Sequence, residues 1–163
     1  MAFLIQLSFL AILILQPVTP YVLAEPQSAP QIGVSGSLSA SKARRGGTVR
    51  ASVDMDIPSG YHVNSNRPLE RFLIPTQLSV DAPKGIRVGA VSYPRASLHK
   101  FKFSKNRVAV FEGRPTMRFN IMVPRNLAPG SAEIKVRVRY QSCNDDVCFP
   151  PQTRELSLGL RIE

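Results

Sequence analysis

A strict alternation of apolar and polar residues runs through much of this chain and limits the folds that it can adopt. In residues 48–57, for example, Val49 and Val53 fall on one side of an extended backbone, whereas Arg50 falls on the other. Successive side chains of a strand point to opposite faces, so a period of two indicates a half-buried β-strand. The segments with this pattern are residues 48–57, 116–123, 132–140 and 155–162.

Five further segments have weaker strand patterns, and turns rich in proline and glycine separate them. No segment shows a convincing helical period. About nine short strands, each with one apolar face, predict two packed sheets in an all-β, immunoglobulin-like β-sandwich. The weaker candidates are residues 32–39, 61–64, 73–80, 86–91 and 107–111, and the turn signals are residues 58–60, 82–85 and 126–130.

The N-terminus has the features of an export signal. Residues 1–24 contain no charged side chain, and an apolar run to Leu15 is followed by Pro17, Pro20 and a small-residue site at Ala24. We expect a signal peptide that is cleaved after Ala24. The alternative is an uncleaved anchor, for which the apolar run is shorter than the roughly 20 residues that a spanning helix needs.

The remaining chain divides into a short leader and one domain. Residues 25–31 are polar and proline-rich, which predicts a disordered leader. Residues 32–163 are long enough to form a single domain with its own core. We therefore expect an exported protein with no stable insertion in the membrane after the signal is removed.

The charge of the chain is strongly positive, with 21 basic and 11 acidic residues and a formal net charge of +10. Such a charge suits nucleic acid, an anionic envelope surface or acidic protein partners. We discount nucleic acid because export is predicted and because only residues 97–105 combine aromatic and basic side chains closely.

The two cysteines of the chain, Cys143 and Cys148, have four residues between them. In an exported protein such a pair indicates a disulfide. A zinc site is not expected, because it needs four ligands and His62 and His99 lie on different elements. The spacing leaves an inert staple and a redox-active pair equally open, since so short a loop stabilises a fold by only about 2 kcal/mol.

The position of the two cysteines favours a redox-active pair over an inert staple. The cysteines bracket a turn at the end of a predicted strand, and loops on a rigid β scaffold often carry function. Asp145 and Asp146 lie within this turn, and nearby carboxylates disfavour a thiolate. This arrangement fits a disulfide that a partner's thiolate attacks. The alternative is that the acidic residues only serve the turn.

Residues 140–153, YQSCNDDVCFPPQT, resemble the cysteine hairpin of a known family, with Tyr-Gln-x-Cys, a short acidic loop, a second cysteine, Pro-Pro and Gln-Thr. Three earlier segments resemble further blocks of the same family. The family is the N-terminal periplasmic domain of the thiol:disulfide interchange protein DsbD, and the similarity extends from about residue 46 to the C-terminus. The earlier blocks are SGYHVNSNRP (residues 59–68), FLIPTQLSV (72–80) and VAVFEG (108–113).

The resemblance implies an immunoglobulin-like domain in the periplasm that works without a cofactor. In this family the cysteine pair takes electrons from a thioredoxin-like domain fed by a membrane carrier. It passes them to oxidised periplasmic proteins such as disulfide isomerases and cytochrome c maturation factors. Carried over by position, Cys148 forms the mixed disulfide with partners, and Cys143 is the resolving cysteine.

The resemblance also places other residues near the pair. Tyr61, His62 and Asn64 are expected beside the cysteines. For His62, a satisfied and partly buried strand histidine is an equally open interpretation.

A mobile cap loop with an aromatic residue covers the disulfide in the family. Here it would fall within residues 97–105, with Phe101 or Phe103 as the lid and the acidic hairpin as its electrostatic counterpart. The alternative is an exposed strand that buries alternate phenylalanines.

The sequence also departs from the family. The spacing between the cysteines is one residue shorter than in the best-known members, and the sequence contains neither the membrane carrier nor the Cys-x-x-Cys domain. Separate proteins would then supply the electrons.

The principal hypothesis is an exported thiol–disulfide exchange module. The alternative is an exported immunoglobulin-like binding or structural domain with an inert disulfide. A hydrolytic or metal-dependent enzyme is disfavoured, because no suitable constellation of side chains stands out.

Overall fold

The computed structural model describes residues 28–163, and every regular element in this range is a β-strand. The predicted all-β, immunoglobulin-like β-sandwich is confirmed. Within the described range, no helix has the length and apolar character to cross a membrane. The strands are β1 (Gly33–Leu38), β2 (Lys42–Ala43), β3 (Thr48–Asp56), β4 (His62–Asn64), β5 (Gln77–Asp81), β6 (Arg87–Val88), β7 (Ser97–Lys100), β8 (Arg107–Phe111), β9 (Thr116–Met122), β10 (Gly130–Tyr140), β11 (Ser142–Cys143) and β12 (Gln152–Ile162).

The strands with the strictest alternation form most of the core, as their sequences predict. In β10, Val136 and Val138 are buried, and the intervening Arg137 is exposed. β3, β9 and the second half of β12 follow the same rule. A shift of one residue would expose the whole apolar set, and each such side chain stabilises the fold by about 1.5–3 kcal/mol when buried. The alternation therefore fixes which face of each strand points inward.

Hydrogen bonding arranges the strands in three sheets of four, in the orders β1-β3-β9-β6, β2-β12-β10-β5 and β11-β4-β8-β7. All neighbouring strands are antiparallel except β2, which runs parallel to β12. The three sheets share one main core, to which Val53 of β3, Val136 of β10 and Phe111 of β8 belong.

The third sheet carries the cysteines, and its strand β8 is buried on both faces. Phe111 of β8 and Val63 of β4 pack in the main core. Val108 and Val110 lie in a second, smaller cluster together with Leu73. This double burial anchors the sheet firmly beneath the disulfide.

The structure corrects the predicted number of strands and sheets. About nine strands and two sheets were expected, whereas twelve strands form three sheets in residues 28–163. β2 and β11 were missed because two residues are too few to show a period. β7 was not among the nine strands predicted from alternation, because all four of its residues are exposed, and it corresponds to the start of the exposed strand considered as the alternative for residues 97–105.

Two of the weaker strand candidates are also shorter than predicted. The segment at 73–80 forms strand only from Gln77 onward, and the segment at 86–91 only at Arg87–Val88.

The predicted signal peptide at 1–24 and the first residues of the predicted leader lie outside the described residues. Residues 28–31 carry no regular structure, and the core begins at Ile32, which is buried.

Candidate functional site

The two cysteines form a disulfide at one end of the third sheet. Cys143 is the last residue of β11, and it pairs directly with Cys148 across the turn, with a Cα–Cα distance of 4.0 Å. Cys143 is 0% exposed, whereas Cys148 is only partly buried. The two cysteines of the disulfide thus differ in their exposure to solvent.

The turn between the cysteines is held by its asparagine. The side-chain oxygen of Asn144 accepts hydrogen bonds from the backbone N–H groups of Asp146 and Val147, at 3.0 and 2.9 Å. The N–H of Asn144 donates to the carbonyl of Val147. Asn commonly closes turns in this way. Asp145 and Asp146 are exposed, and the hydrogen bonds that close the turn do not involve their side chains.

His62 lies directly opposite Cys143 in the register of β4 and β11. Opposed residues of antiparallel strands share a face of the sheet, with Cβ atoms about 5 Å apart. His62 is 2% exposed, and the ring of Phe101 stacks on it at a centroid distance of 4.0 Å. Burial lowers the pKa of His62 to about 4, and the nearby Asp145 opposes this shift only in part. The imidazole is therefore neutral at pH 7.

The structure corrects the interpretation of His62 as a satisfied strand histidine. Its Nε2 atom is buried and has no hydrogen-bond partner among residues 28–163. Two other buried side-chain atoms share this condition, Asn64 Oδ1 and Ser142 Oγ. Unpartnered buried polar atoms are uncommon in folded proteins. All three lie on β4 and β11, next to the disulfide.

Asn64 and Tyr61 flank the β4 residues that pair with β11. Asn64 is fully buried, and its side-chain N–H groups donate to Ile74 O at 3.1 Å and to Gln141 Oε1 at 3.0 Å. Tyr61 packs near Phe149, the residue after Cys148, with ring centroids 6.1 Å apart. The turn at residues 58–60 sets the entry to β4 through Gly60, whose φ of 81° favours glycine.

Phe101 and Phe103 lie in a loop, residues 101–106, that follows the exposed strand β7. The alternative interpretation of one exposed strand across 97–105 holds only for the first four residues. Phe101 is 8% exposed and belongs to the second cluster, against which Phe103 and Cys148 also pack. The two phenylalanine rings are stacked, with centroids 5.3 Å apart.

Lys102 joins this loop to the cysteine hairpin. Its backbone N–H donates to Asp145 O at 3.3 Å, and its ammonium group lies 2.9 Å from Asp146 Oδ1. The hydrogen bond and charge of Asp146 raise the pKa of Lys102. The acidic residues of the hairpin therefore do face a basic residue of the loop, although both side chains are largely exposed.

Sequence reasoning missed Gln141 as a part of the site. Its Oε1 accepts from Asn64 Nδ2 and from Ile74 N, and its Nε2 donates to Phe149 O at 3.2 Å. One side chain thereby joins β4, the following loop and the far side of the disulfide hairpin. The available signal was its place directly after a strictly alternating strand, two residues before the first cysteine.

The site contains no obvious place for a metal ion. Within the described range, no group of three or more His, Cys, Asp and Glu side chains is arranged to hold one. The polar groups near the disulfide are a neutral histidine, amides, a hydroxyl group, the carboxylate of Asp145 and the ion pair of Lys102 with Asp146.

Comparison with known proteins agrees with this architecture. The family "Thiol:disulfide interchange protein DsbD, N-terminal" matches residues 35–160. The reduced N-terminal domain of DsbD from Neisseria meningitidis is similar, with 20% identity and a TM-score of 0.50, over 78% of this chain and 85% of that one. The N-terminal periplasmic domain of ScsB from Proteus mirabilis matches with 11% identity and a TM-score of 0.53, over 79% of this chain and 45% of that one. No curated protein matches the sequence.

The family match covers most of the chain and includes both cysteines, β4 and the loop that bears the phenylalanines. The two solved structures support the same fold. The resemblance inferred from the cysteine hairpin is confirmed, and the chain belongs to the family of DsbD N-terminal domains.

Proposed function

We propose that this chain is an exported thiol–disulfide exchange module that passes two electrons between protein partners through Cys143 and Cys148. The observation that carries the proposal is the unequal exposure of the two cysteines. Cys143 is 0% exposed, whereas Cys148 keeps a surface that a partner can reach. Exchange requires a thiolate to approach one sulfur of the disulfide directly. Cys148 is therefore the attacked residue.

The reaction has two halves. A donor thiolate attacks Cys148 Sγ, the bond between the cysteines breaks, and Cys143 leaves as a thiolate that takes up a proton. A second donor thiolate attacks the donor's own sulfur in the mixed disulfide and releases Cys148. The donor is then oxidised and the module holds two thiols.

The second half reverses the chemistry on an oxidised protein. The thiolate of Cys148 attacks the disulfide of the acceptor and forms a new mixed disulfide. The thiolate of Cys143 then attacks Cys148 Sγ, which restores the internal disulfide and releases the acceptor with both thiols reduced. Two electrons pass and no cofactor takes part.

The surroundings of the pair suit a disulfide that is protected between partners. Loop 101–106 packs over His62 and toward Cys148, and the exposed pair Lys102–Asp146 holds it to the hairpin. Exposed ion pairs are weak, so a partner can displace this contact at small cost. We propose that Phe101 and Phe103 act together as the cap, with Phe101 as the deeper ring.

The membership of the family supports a donor of the thioredoxin-like class and acceptors among oxidised periplasmic proteins. The export signal predicted at residues 1–24 supports the same compartment. In this proposal the chain is one component of a protein-disulfide reductase, and a thioredoxin-like donor supplies its electrons.

Trapping experiments with single-cysteine variants test the assignment of roles. Cys143→Ser should accumulate a mixed disulfide with a thioredoxin whose resolving cysteine is replaced by serine and whose attacking cysteine is activated as a mixed disulfide with a small aromatic thiol. The thiolate of Cys148 displaces the small thiol, and neither protein then holds a second thiol that could resolve the bond. Cys148→Ser should form little or none, because Cys143 is buried. Non-reducing electrophoresis after acid quenching gives the result. Efficient trapping through Cys143 alone would reverse the assignment.

The reduction potential separates the proposal from the alternative of a binding domain with an inert disulfide. A potential between about −200 and −270 mV, the range of glutaredoxins and thioredoxin, would support exchange. A value well below about −300 mV, with no exchange with a thioredoxin, would identify a structural disulfide. The net charge of +10 would then favour contact with anionic partners.

A further inference from the structure

The loops around the disulfide expose large apolar side chains that are not part of either hydrophobic cluster of the fold. Leu69 and Phe72 are each 63% exposed, and Val147 is 43% exposed. Within residues 28–163, only Leu98 and Met122 are other large apolar side chains of comparable exposure. We call Leu69, Phe72 and Val147 the apolar rim.

The exposure of Leu69 and Phe72 occurs in an ordered loop with its own anchors. Residues 65–76 close on themselves, because Thr76 N donates to Ser65 O at 3.2 Å and Ser65 N donates to Ala109 O at 2.9 Å. The neighbouring Leu73 turns inward and is only 4% exposed. The loop therefore buries one apolar residue beneath the site and presents two others outward.

The apolar rim flanks the loop that covers the site. On one side, Asn106 of loop 101–106 donates to Glu70 Oε1 at 2.6 Å, which places the turn of Leu69 and Phe72 against that loop. On the other side, Lys102 contacts the hairpin that bears Val147. A partner that reaches Cys148 meets apolar side chains on both sides of its path.

The charge around the apolar rim is unevenly distributed. Residues 65–76, 97–107 and 143–148 together hold six basic and three acidic side chains. One of the acids, Asp146, is paired with Lys102, and another, Glu70, is hydrogen-bonded to Asn106. The basic residues are Arg67, Arg71, Lys100, Lys102, Lys105 and Arg107, and the acidic residues are Glu70, Asp145 and Asp146.

We propose that Leu69, Phe72 and Val147 form the docking surface for the redox partner of Cys148, a protein whose own cysteine is set in an apolar surface edged by acidic side chains. This inference rests on the proposed function and adds the chemistry of the partner. Apolar contacts near the centre of an interface supply most of the binding free energy, and charges at its edge mainly accelerate association. A small thiol, which reaches only the sulfur atom, gains nothing from this surface.

The test compares two reductants on the same oxidised, full-length mature protein. One is dithiothreitol and the other is a reduced thioredoxin of net negative charge. The variant is Leu69→Ser with Phe72→Ser, and the matched control is Leu98→Ser, an exposed leucine on β7. Stopped-flow measurement of the tyrosine fluorescence, or quenching followed by thiol labelling, gives both second-order rate constants.

The double variant should react with thioredoxin about tenfold more slowly and with dithiothreitol at an unchanged rate. The control should keep both rates. Arg71→Glu should slow the reaction with thioredoxin and weaken its dependence on salt between about 20 and 500 mM, compared with Arg50→Glu on β3. Equal thioredoxin rates in the double variant and the wild type would overturn the docking surface.

The failure of this inference and of the proposed function are distinguishable. The proposed function would be overturned if thioredoxin does not reduce the wild-type disulfide and if the reduction potential of that disulfide lies below the range of exchange-active proteins. A wild-type protein that thioredoxin reduces, together with a double variant that thioredoxin reduces equally fast, would overturn the docking surface alone. Dimer dissociation or loss of binding to anionic vesicles in the double variant, with unchanged thioredoxin rates, would also overturn it and would assign the apolar rim to a second copy or to a membrane.

Discussion

Burial controls the chemistry of the residue that faces the inner cysteine. His62 is 2% exposed, lies opposite Cys143 and is stacked against Phe101. Desolvation disfavours its charged form, Asp145 acts in the opposite direction, and His99 reinforces the shift. A neutral imidazole next to the cysteine can share a hydrogen bond with the sulfur of the reduced pair without adding a charge to the core.

The low pKa of His62 predicts a loss of stability in mild acid. The pKa is about 4 in the folded protein against an ordinary value of 6.5, so between these values only the unfolded chain binds the proton. The free energy of unfolding should fall as the pH drops below 6.5 and should level off below 4. The total loss attributable to this residue is up to about 3 kcal/mol.

Urea unfolding between pH 7 and pH 4 measures this effect. His62→Phe keeps an aromatic ring for Phe101 and should flatten the dependence in this range. His99→Phe, at the exposed histidine that contacts Glu112, is the matched control and should keep most of the slope of the wild type, because burial and not His99 is the main cause of the shift in the pKa of His62. An identical slope in His62→Phe and in the wild type would show that this histidine is not the source.

The elements of the site are held together by a short polar link rather than by the disulfide alone. Gln141 binds Asn64 of β4, Ile74 of the 65–76 loop and Phe149 beyond the second cysteine. Thr76 adds a second link, because its hydroxyl group donates to Asn64 O at 2.6 Å. The position of the hairpin relative to β4 should therefore persist when the disulfide is reduced.

Gln141→Leu should lower the free energy of unfolding by about 2 kcal/mol, because it removes three hydrogen bonds and leaves Ile74 N without its acceptor. Gln77→Leu, at an exposed glutamine of β5, should stay within about 0.5 kcal/mol of the wild type. Chemical denaturation of both variants under oxidising conditions measures the difference. Equal stabilities would mean that the link contributes nothing.

The main core of the molecule is large compared with the loop that its disulfide closes, so we expect the fold to form without the disulfide. The main core collects buried residues from all three sheets, and the disulfide closes a loop with a sequence separation of only 5. A disulfide that closes so short a loop lowers the entropy of the unfolded chain, and this stabilises the fold by on the order of 2 kcal/mol. The proposed exchange requires a fold that persists in both redox states, and a core drawn from three sheets favours this.

Reduction should therefore lower the free energy of unfolding by about 2 kcal/mol and leave the fold intact. Ile134→Ala, at a fully buried core position of β10, should cost about 2–5 kcal/mol in either redox state. Denaturation of the oxidised protein, the reduced protein and the doubly substituted Cys143→Ser, Cys148→Ser protein gives the comparison. Unfolding on reduction would favour a structural role for the disulfide.

Several features could be predicted from the sequence because they depend on local patterns. Alternation identified the long strands, since one face of each is buried and a change of register would expose it. The cysteine spacing and the acidic turn identified the disulfide hairpin. The family resemblance predicted Tyr61, His62 and Asn64 beside the cysteines, and the pairing of β4 with β11 sets His62 opposite Cys143.

Other features depend on contacts between distant segments, so only the tertiary structure reveals them. The burial of Cys143 and exposure of Cys148 arise from where β11 lies in the third sheet, and no local pattern encodes this difference. The link through Gln141 joins residues 77 positions apart in sequence, and a single glutamine carries no signal of it. The sequence by itself determined the class of fold and the cysteine hairpin, because periodicity and spacing are local. The tertiary structure determined how deeply each cysteine is buried and what surrounds the disulfide, because burial depends on the packing of the whole chain.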